Sequence, residues 1–303
     1  MPSKESYTSA SAFPCKLYGC VEDYRNGFRP THVQLNISNA CQLNCEFCSC
    51  KDRDRKMYMD FGLFKEYMDV LRKRGMDAVT ITGGGEPLLH PRFQDMVEYL
   101  VSKGVSVGLV TNGIAVRKWP VELYQKMSWI RVSFDASRKS LPDLYDGIKW
   151  AFSYVYSAGA EDTPEFKHLV EQAGGRLITH LRVVTDIFDD DATLPDIDVP
   201  NVIMQNRSTY TGGAKDCWIS LIKPVIDVTG LFFPCCGTQY AIPDGTRDYH
   251  KALCMGNLDS FLKQLDGQIP FYGGRCVKCY YDKYNEALRG MVDFMGATHK
   301  EFI

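Results

Sequence analysis

The sequence has no apolar run approaching the ~20 residues that span a bilayer, and its opening, MPSKESYTSASAF, lacks the apolar stretch of a secretory signal. No membrane partner is expected, and a cytoplasmic setting is. Charge imbalance is also missing: 35 Lys and Arg against 37 Asp and Glu leave a formal net charge of -2. No broad cationic field therefore calls for a nucleic-acid partner. Internal repeats and low-complexity tracts are absent, which excludes a repeat architecture. A shortage of apolar residues is absent as well. At 45% hydrophobic and 24% charged, the composition is that of a folded domain, and 303 residues suffice for one large domain and a small appendage.

What the chain does have is cysteine, 12 in all. Cytosolic thiols are kept reduced, so a disulfide framework is not the expected use, and metal or redox chemistry is. The cysteines are unevenly spread. Cys15 and Cys20 lie near the start and have no evident partner set, four fall between Cys41 and Cys50, and six follow from Cys217. That distribution predicts two separate sites.

Between about residues 31 and 206 short β-branched runs alternate with amphipathic stretches, the pattern of βα units around a parallel sheet. Strands are expected at HVQLNI (32–37), AVTIT (78–82), VSVGLVT (105–111), WIRVSF (129–134), LITHLRVV (177–184) and NVIMQ (201–205). Helices are expected over 60–74, with Asp60 as cap and Gly75 as stop, from Pro91 to about Lys103, near 121–127, and around 141–156 and 164–173. The fold class that follows is α/β, a partial (β/α)6 TIM-like barrel whose active site lies at the C-terminal strand ends. The acidic run Asp189 to Asp191, with Asp196 and Asp198, reads as a solvated loop rather than a metal site. From 207 to 303 the texture changes to turns with cysteines between short apolar runs, suggesting a small metal-stapled domain. Residues 1–30 form an N-terminal extension.

CQLNCEFC places Cys41, Cys45 and Cys48 directly after the first strand, at the barrel mouth. Soft thiolates suit iron. Three are one too few for a [4Fe–4S] cube, which leaves one iron open to another ligand. A zinc site, with Cys50 as fourth donor, is the alternative. GGGEP (83–87) follows the second strand, and its glycines permit close backbone approach to a ligand. TNG (111–113) ends the third strand and SFDA (133–136) the fourth, bringing Asn112, Ser133 and Asp135 to the same rim.

Cys-x3-Cys-x2-Cys after a first barrel strand, with Phe47 before the last cysteine, resembles the defining motif of the radical S-adenosylmethionine (SAM) superfamily. The resemblance runs from residue 31 to about 206. It implies that Cys41, Cys45 and Cys48 hold a [4Fe–4S] cluster whose open iron binds SAM. It also implies that Gly83, Gly84, Gly85, Glu86 and Pro87 form the loop receiving the SAM amino group, unless Glu86 instead fixes that loop by hydrogen bonding. Asn112, Ser133 and Asp135 would contact the SAM ribose and carboxylate. Arg182 would contact the carboxylate, or else pair with the acidic loop.

Cys217, Cys235, Cys276 and Cys279 form the second set, with Gly230 five residues before Cys235 and the last two in Cys-x2-Cys. This spacing resembles the Twitch extension, the shortened SPASM form, and implies one auxiliary [4Fe–4S] cluster. Cys236 competes with Cys235 as ligand. Cys254 is either a buried apolar cysteine or a hydrogen-atom donor, the role a thiol plays in epimerases of this subgroup.

Only about 30 residues precede the first strand, fewer than the ~80 of the recognition domain common in peptide-modifying members. The expected substrate is accordingly a small polar molecule, a sugar, aminocyclitol or nucleoside, undergoing dehydrogenation or epimerisation. Peptide modification is the alternative, and a non-catalytic iron–sulfur or zinc-binding regulator is the rival from another class. Arg207 is a candidate substrate contact or base-assisting residue, or a surface arginine at a domain junction. An electron donor such as flavodoxin or ferredoxin is the implied partner.

Overall fold

The computed structural model describes residues 24, 26–50, 53–207, 210–239 and 253–295. Cys15, Cys20, most of the expected N-terminal extension and the C-terminal tail lie outside them. Seven parallel strands form the body of one sheet: β1 (His32–Asn36), β2 (Ala78–Thr82), β3 (Ser106–Thr111), β4 (Trp129–Asp135), β5 (Trp150–Tyr156), β6 (Leu181–Thr185) and β7 (Val202–Gln205). Each pairs in parallel with the next, as in Ser133 opposite Ser153 and Ser153 opposite Arg182. The fold is α/β, with the six expected strands in the expected order.

The difference is β5. A helix was expected over 141–156, but residues 136–149 are irregular and WAFSYVY is a strand between β4 and β6. Six of its seven residues are buried. A strand covered on both faces shows no alternation, and a short apolar run then looks the same as a buried helix segment. The strand expected over 177–184 starts only at Leu181, because Leu177 is 77% exposed in the turn before it.

The helices cover the sheet for ordinary reasons. In α1 (Phe61–Lys73) the Asp60 carboxylate accepts from Leu63 N at 2.9 Å, and Phe64, Tyr67, Met68 and Leu71 recur at helical spacing and are buried. Gly75, at φ +97°, lets the chain leave the helix. α2 (Phe93–Ser102), α3 (Val121–Gln125) and α4 (Pro164–Gly174) follow β2, β3 and β5. Thr163 caps α4, and its Oγ1 accepts from Phe166 N.

Beyond β7 come β8 (Asp216–Cys217), α5 (Ile219–Ile222), β9 (Val225–Ile226), β10 (Phe232–Phe233), α6 (Leu258–Asp266), β11 (Phe271–Tyr272) and α7 (Asp282–Met295). β9 runs parallel to β1 on its free side and β10 continues the sheet antiparallel to β9, while β8 and β11 pair separately. The Phe232 ring stacks on Phe261 of α6 at 4.5 Å and meets Tyr67 of α1 at 5.9 Å. Each buried ring of this kind contributes roughly 1.5–3 kcal/mol. The cysteine-rich region thus shares the apolar core of the large sheet. No helix among the described residues is long and apolar enough to cross a membrane.

Candidate active site

Side chains alternate along a strand, and those of one parity point into a cavity of about 390 Å³ that opens at the C-terminal strand ends. Gln34 enters from β1, Thr80 and Thr82 from β2, Arg131, Ser133 and Asp135 from β4, Ser153 from β5, Arg182 from β6, and Gln205 from β7. The interior layer is mostly polar, which suits binding better than packing.

Cys41, Cys45 and Cys48 line the mouth of this cavity with Phe47. Their loop leaves β1 through Ser38, which bridges Tyr58, and Asn39 N donates to Met57 O. Arg53, not anticipated from the sequence, ties the loop down. Its Nε donates to Asn39 O at 2.8 Å, while Nη1 reaches Cys50 O and lies 3.5 Å from Cys48 Sγ. Cys50 is buried under the loop. The Cys45 thiol is pushed up to about 11, by burial first and then by Asp135 and the Cys48 and Cys41 thiols. The three sulfurs are therefore close enough to repel one another as thiolates, a repulsion that a bound cationic group reverses.

The glycine loop meets the cysteine loop backbone to backbone. Gly85 N donates to Ser38 O and Glu86 N to Ala40 O, both at 2.7 Å. A Cβ on Gly85 would collide with Ala40 O, so only glycine allows the approach. Gly83, Gly84, Gly85 and Glu86 line the cavity, but Pro87 does not: it starts a buried 3-10 turn, Pro87–Leu89. Glu86 is buried and accepts from Thr111 Oγ1 at 2.6 Å, Asn112 N at 2.7 Å and Leu88 N at 3.1 Å. Burial raises its pKa while those three donors oppose the shift. Its carboxylate clamps the loop to the end of β3, the second of the two roles expected for it.

Around the rim, Asn112 Nδ2 lies 3.3 Å from Gln42 Oε1 and 3.9 Å from Cys41 Sγ. Asp135 accepts from Ser137 N at 2.9 Å and from the Ser137 hydroxyl. Arg138 donates to Asn112 O and Ser133 O, fastening the ends of β3 and β4 together. Arg182 donates to Ser153 Oγ at 3.0 Å and does not meet the acidic loop. That loop is instead fastened by Lys278, which bonds Asp190 and Ile187 O. Arg207 lines the cavity, as do three groups the sequence did not single out for it: Arg131, Lys223 and Cys236.

The second cysteine set surrounds a separate small cavity lined by Cys217, Cys235, Cys276 and Cys279. Burial and then Cys279 and Cys276 push the Cys217 thiol up to about 12, and burial and then Cys279 push Cys276 to about 11. Gly237 N donates to Cys235 Sγ at 3.3 Å, and Asn285 Nδ2 lies 3.8 Å from Cys217 Sγ. Cys254 lines neither cavity, and its Sγ accepts from Gly256 N.

Among the described residues no three His, Cys, Asp or Glu side chains converge as ligands of one metal ion. Soft sulfur donors in threes and fours fit clusters.

Comparisons with known proteins agree with this geometry. Residues 35–154 match the model of the Radical SAM superfamily. The chain is 27% identical over 128 residues to the antilisterial bacteriocin subtilosin biosynthesis protein AlbA of Bacillus subtilis (strain 168), covering 41% of this chain and 28% of that protein. It is 31% identical over 108 residues to an S-adenosylmethionine-dependent nucleotide dehydratase of Selenomonas ruminantium, covering 34% of this chain and 39% of that one. These matches span less than half the length of either relative. Among solved structures, Streptococcus suis SuiB bound to S-adenosylmethionine superposes with a TM-score of 0.56 at 15% identity, over 86% of this chain and 70% of that one. The superfamily's cofactors are a [4Fe–4S] cluster and SAM, and the cysteine-rich C-terminal region supports an auxiliary cluster beside them. Over residues 35–154, where the model matches, the chain is similar to the radical SAM superfamily, and the parallel sheet and the three-cysteine loop at the strand ends agree with that similarity.

Proposed function

We propose that the chain is a radical SAM enzyme that modifies a peptide substrate. In this reading Cys41, Cys45 and Cys48 hold the SAM-binding cluster, and Cys217, Cys235, Cys276 and Cys279 hold one auxiliary [4Fe–4S] cluster. The observation that carries it is the single cavity lined by the three-cysteine loop, the glycine loop and the polar ends of β3 and β4. Held there and reduced by one electron, the cluster with SAM would supply radical chemistry that removes a hydrogen atom from a substrate C–H.

The chain's own residues bind and orient. The backbone of Gly83 to Gly85 offers donors and acceptors to the SAM amino group, in a loop that Glu86 holds rigid. Asn112, Ser133 and Asp135 face the ribose, and Arg182 takes the carboxylate. Trp129 and the buried strands beneath exclude bulk water.

Similarity to AlbA, a bacteriocin biosynthesis protein, over 128 residues supports the peptide reading. A small metabolite remains the second reading, favoured by similarity to the nucleotide dehydratase and by the polar interior of the cavity. In this reading the setting is cytoplasmic and reducing, and the electron donor is of the flavodoxin or ferredoxin kind. The test incubates reconstituted protein, SAM and reductant with peptides encoded beside the gene and, separately, with nucleotides. A mass change in a peptide supports the first reading. Turnover of a nucleotide alone overturns it for the second.

A further inference from the structure

Part of the lining of the same cavity is cationic. Arg131 of β4, Arg182 of β6, Arg207 just past β7 and Lys223 between α5 and β9 all border the same space. No carboxylate answers them. Arg182 bonds only the Ser153 hydroxyl, Lys223 lies 3.0 Å from Tyr281 Oη, and Arg131 Nε is buried without a partner. Among the described residues none of the four forms an ion pair. The cavity's two acids are engaged elsewhere, Glu86 by its three donors and Asp135 by Ser137.

Burial and then the neighbouring Arg182 bring Arg131 down to about 9, and burial likewise lowers Arg182 and Lys223. Such an arrangement is unfavourable by itself and is stabilised by an incoming anion. SAM does not supply enough, because its one carboxylate is outweighed by its own ammonium and sulfonium. The second cysteine set does not account for the four cations either: its small cavity is lined by Lys278 and by none of them.

We propose that Arg131, Arg207 and Lys223, beside Arg182, receive an oxyanionic group of the substrate, a carboxylate or a phosphate. This anchors the substrate by that group within the cavity that the cysteine loop also lines. The proposal rests on the reading that the substrate enters this cavity, and it narrows that substrate to one bearing such a group.

The test uses the full-length, reconstituted protein saturated with SAM. Inorganic pyrophosphate and glutarate are titrated by calorimetry at constant ionic strength. Saturable binding of either is expected, weakened about tenfold or more in Arg131→Gln and in Arg207→Gln. Tighter pyrophosphate points to a phosphorylated substrate, and tighter glutarate to a carboxylate such as an acidic peptide side chain. Thermal unfolding accompanies each titration, and Arg131→Gln is expected to melt no lower than the parent, since the buried charge it removes has no ion-pair partner among the described residues and lies 5.5 Å from the Trp129 ring. Binding of neither anion, or equal binding by the variants, overturns the proposal. So does loss of about four irons per chain in the variants, which would assign these cations to the auxiliary cluster. Formation of 5′-deoxyadenosine by the unaltered protein is scored separately, so failure of the functional reading is distinguishable.

Discussion

Cys235 and Cys236 are neighbours in sequence and face different cavities. Cys235 borders the small one with Cys217, Cys276 and Cys279, whereas Cys236 borders the large one with its Sγ 3.3 Å from Tyr281 Oη. Cys235→Ala should therefore lose about four irons per reconstituted chain, and Cys236→Ala should keep the full complement. Iron and sulfide counting decides, and the opposite pattern would make Cys236 the ligand.

Glu86 clamps the glycine loop to the end of β3. Removing its carboxylate leaves two backbone N–H groups and the Thr111 hydroxyl with no acceptor in a buried place. Glu86→Ala should cost about 3 kcal/mol of stability. Glu86→Gln should cost less, because one oxygen still accepts. Urea unfolding measures both, and a loss under about 0.5 kcal/mol for the alanine variant would contradict the clamp.

His180, just before β6, is buried, and its Nε2 has no partner. Burial, then Arg131 and Arg182, bring its pKa from 6.5 to about 4. The folded state thus binds this proton less readily than the unfolded chain does. Its contribution is fully present above pH 6.5 and is lost as pH falls toward 4, by about 3 kcal/mol over that window. His180→Gln should flatten the melting temperature against pH between those values. An unchanged slope would show that His180 is not held neutral.

The site was legible where function sits on strand ends. Cys41, Cys45, Cys48, Gly85, Asn112 and Asp135 follow runs whose β character is plain, so counting strands put them on one rim. β5 was not legible, because Trp150, Phe152 and Tyr154 are covered on both faces and carry no alternation. Arg131 had a partial signal, a charge between buried Ile130 and Val132, which in a strand puts it on the face opposite to theirs, here the cavity face. Lys223 had none, since only the return of β9 to the side of β1 brings it to the cavity. The choice between Cys235 and Cys236 depends on the 3-10 turn that begins at Cys236, a backbone detail that residue spacing does not encode.

In the proposed reading the three-cysteine loop holds the cluster that makes a radical from SAM. The most direct measurement is 5′-deoxyadenosine formation by the anaerobically reconstituted protein with SAM and dithionite, alongside Cys45→Ala. Product from the parent and none from the variant is the predicted result. A parent that binds about eight irons yet forms no 5′-deoxyadenosine, or that retains zinc in place of iron, would contradict it.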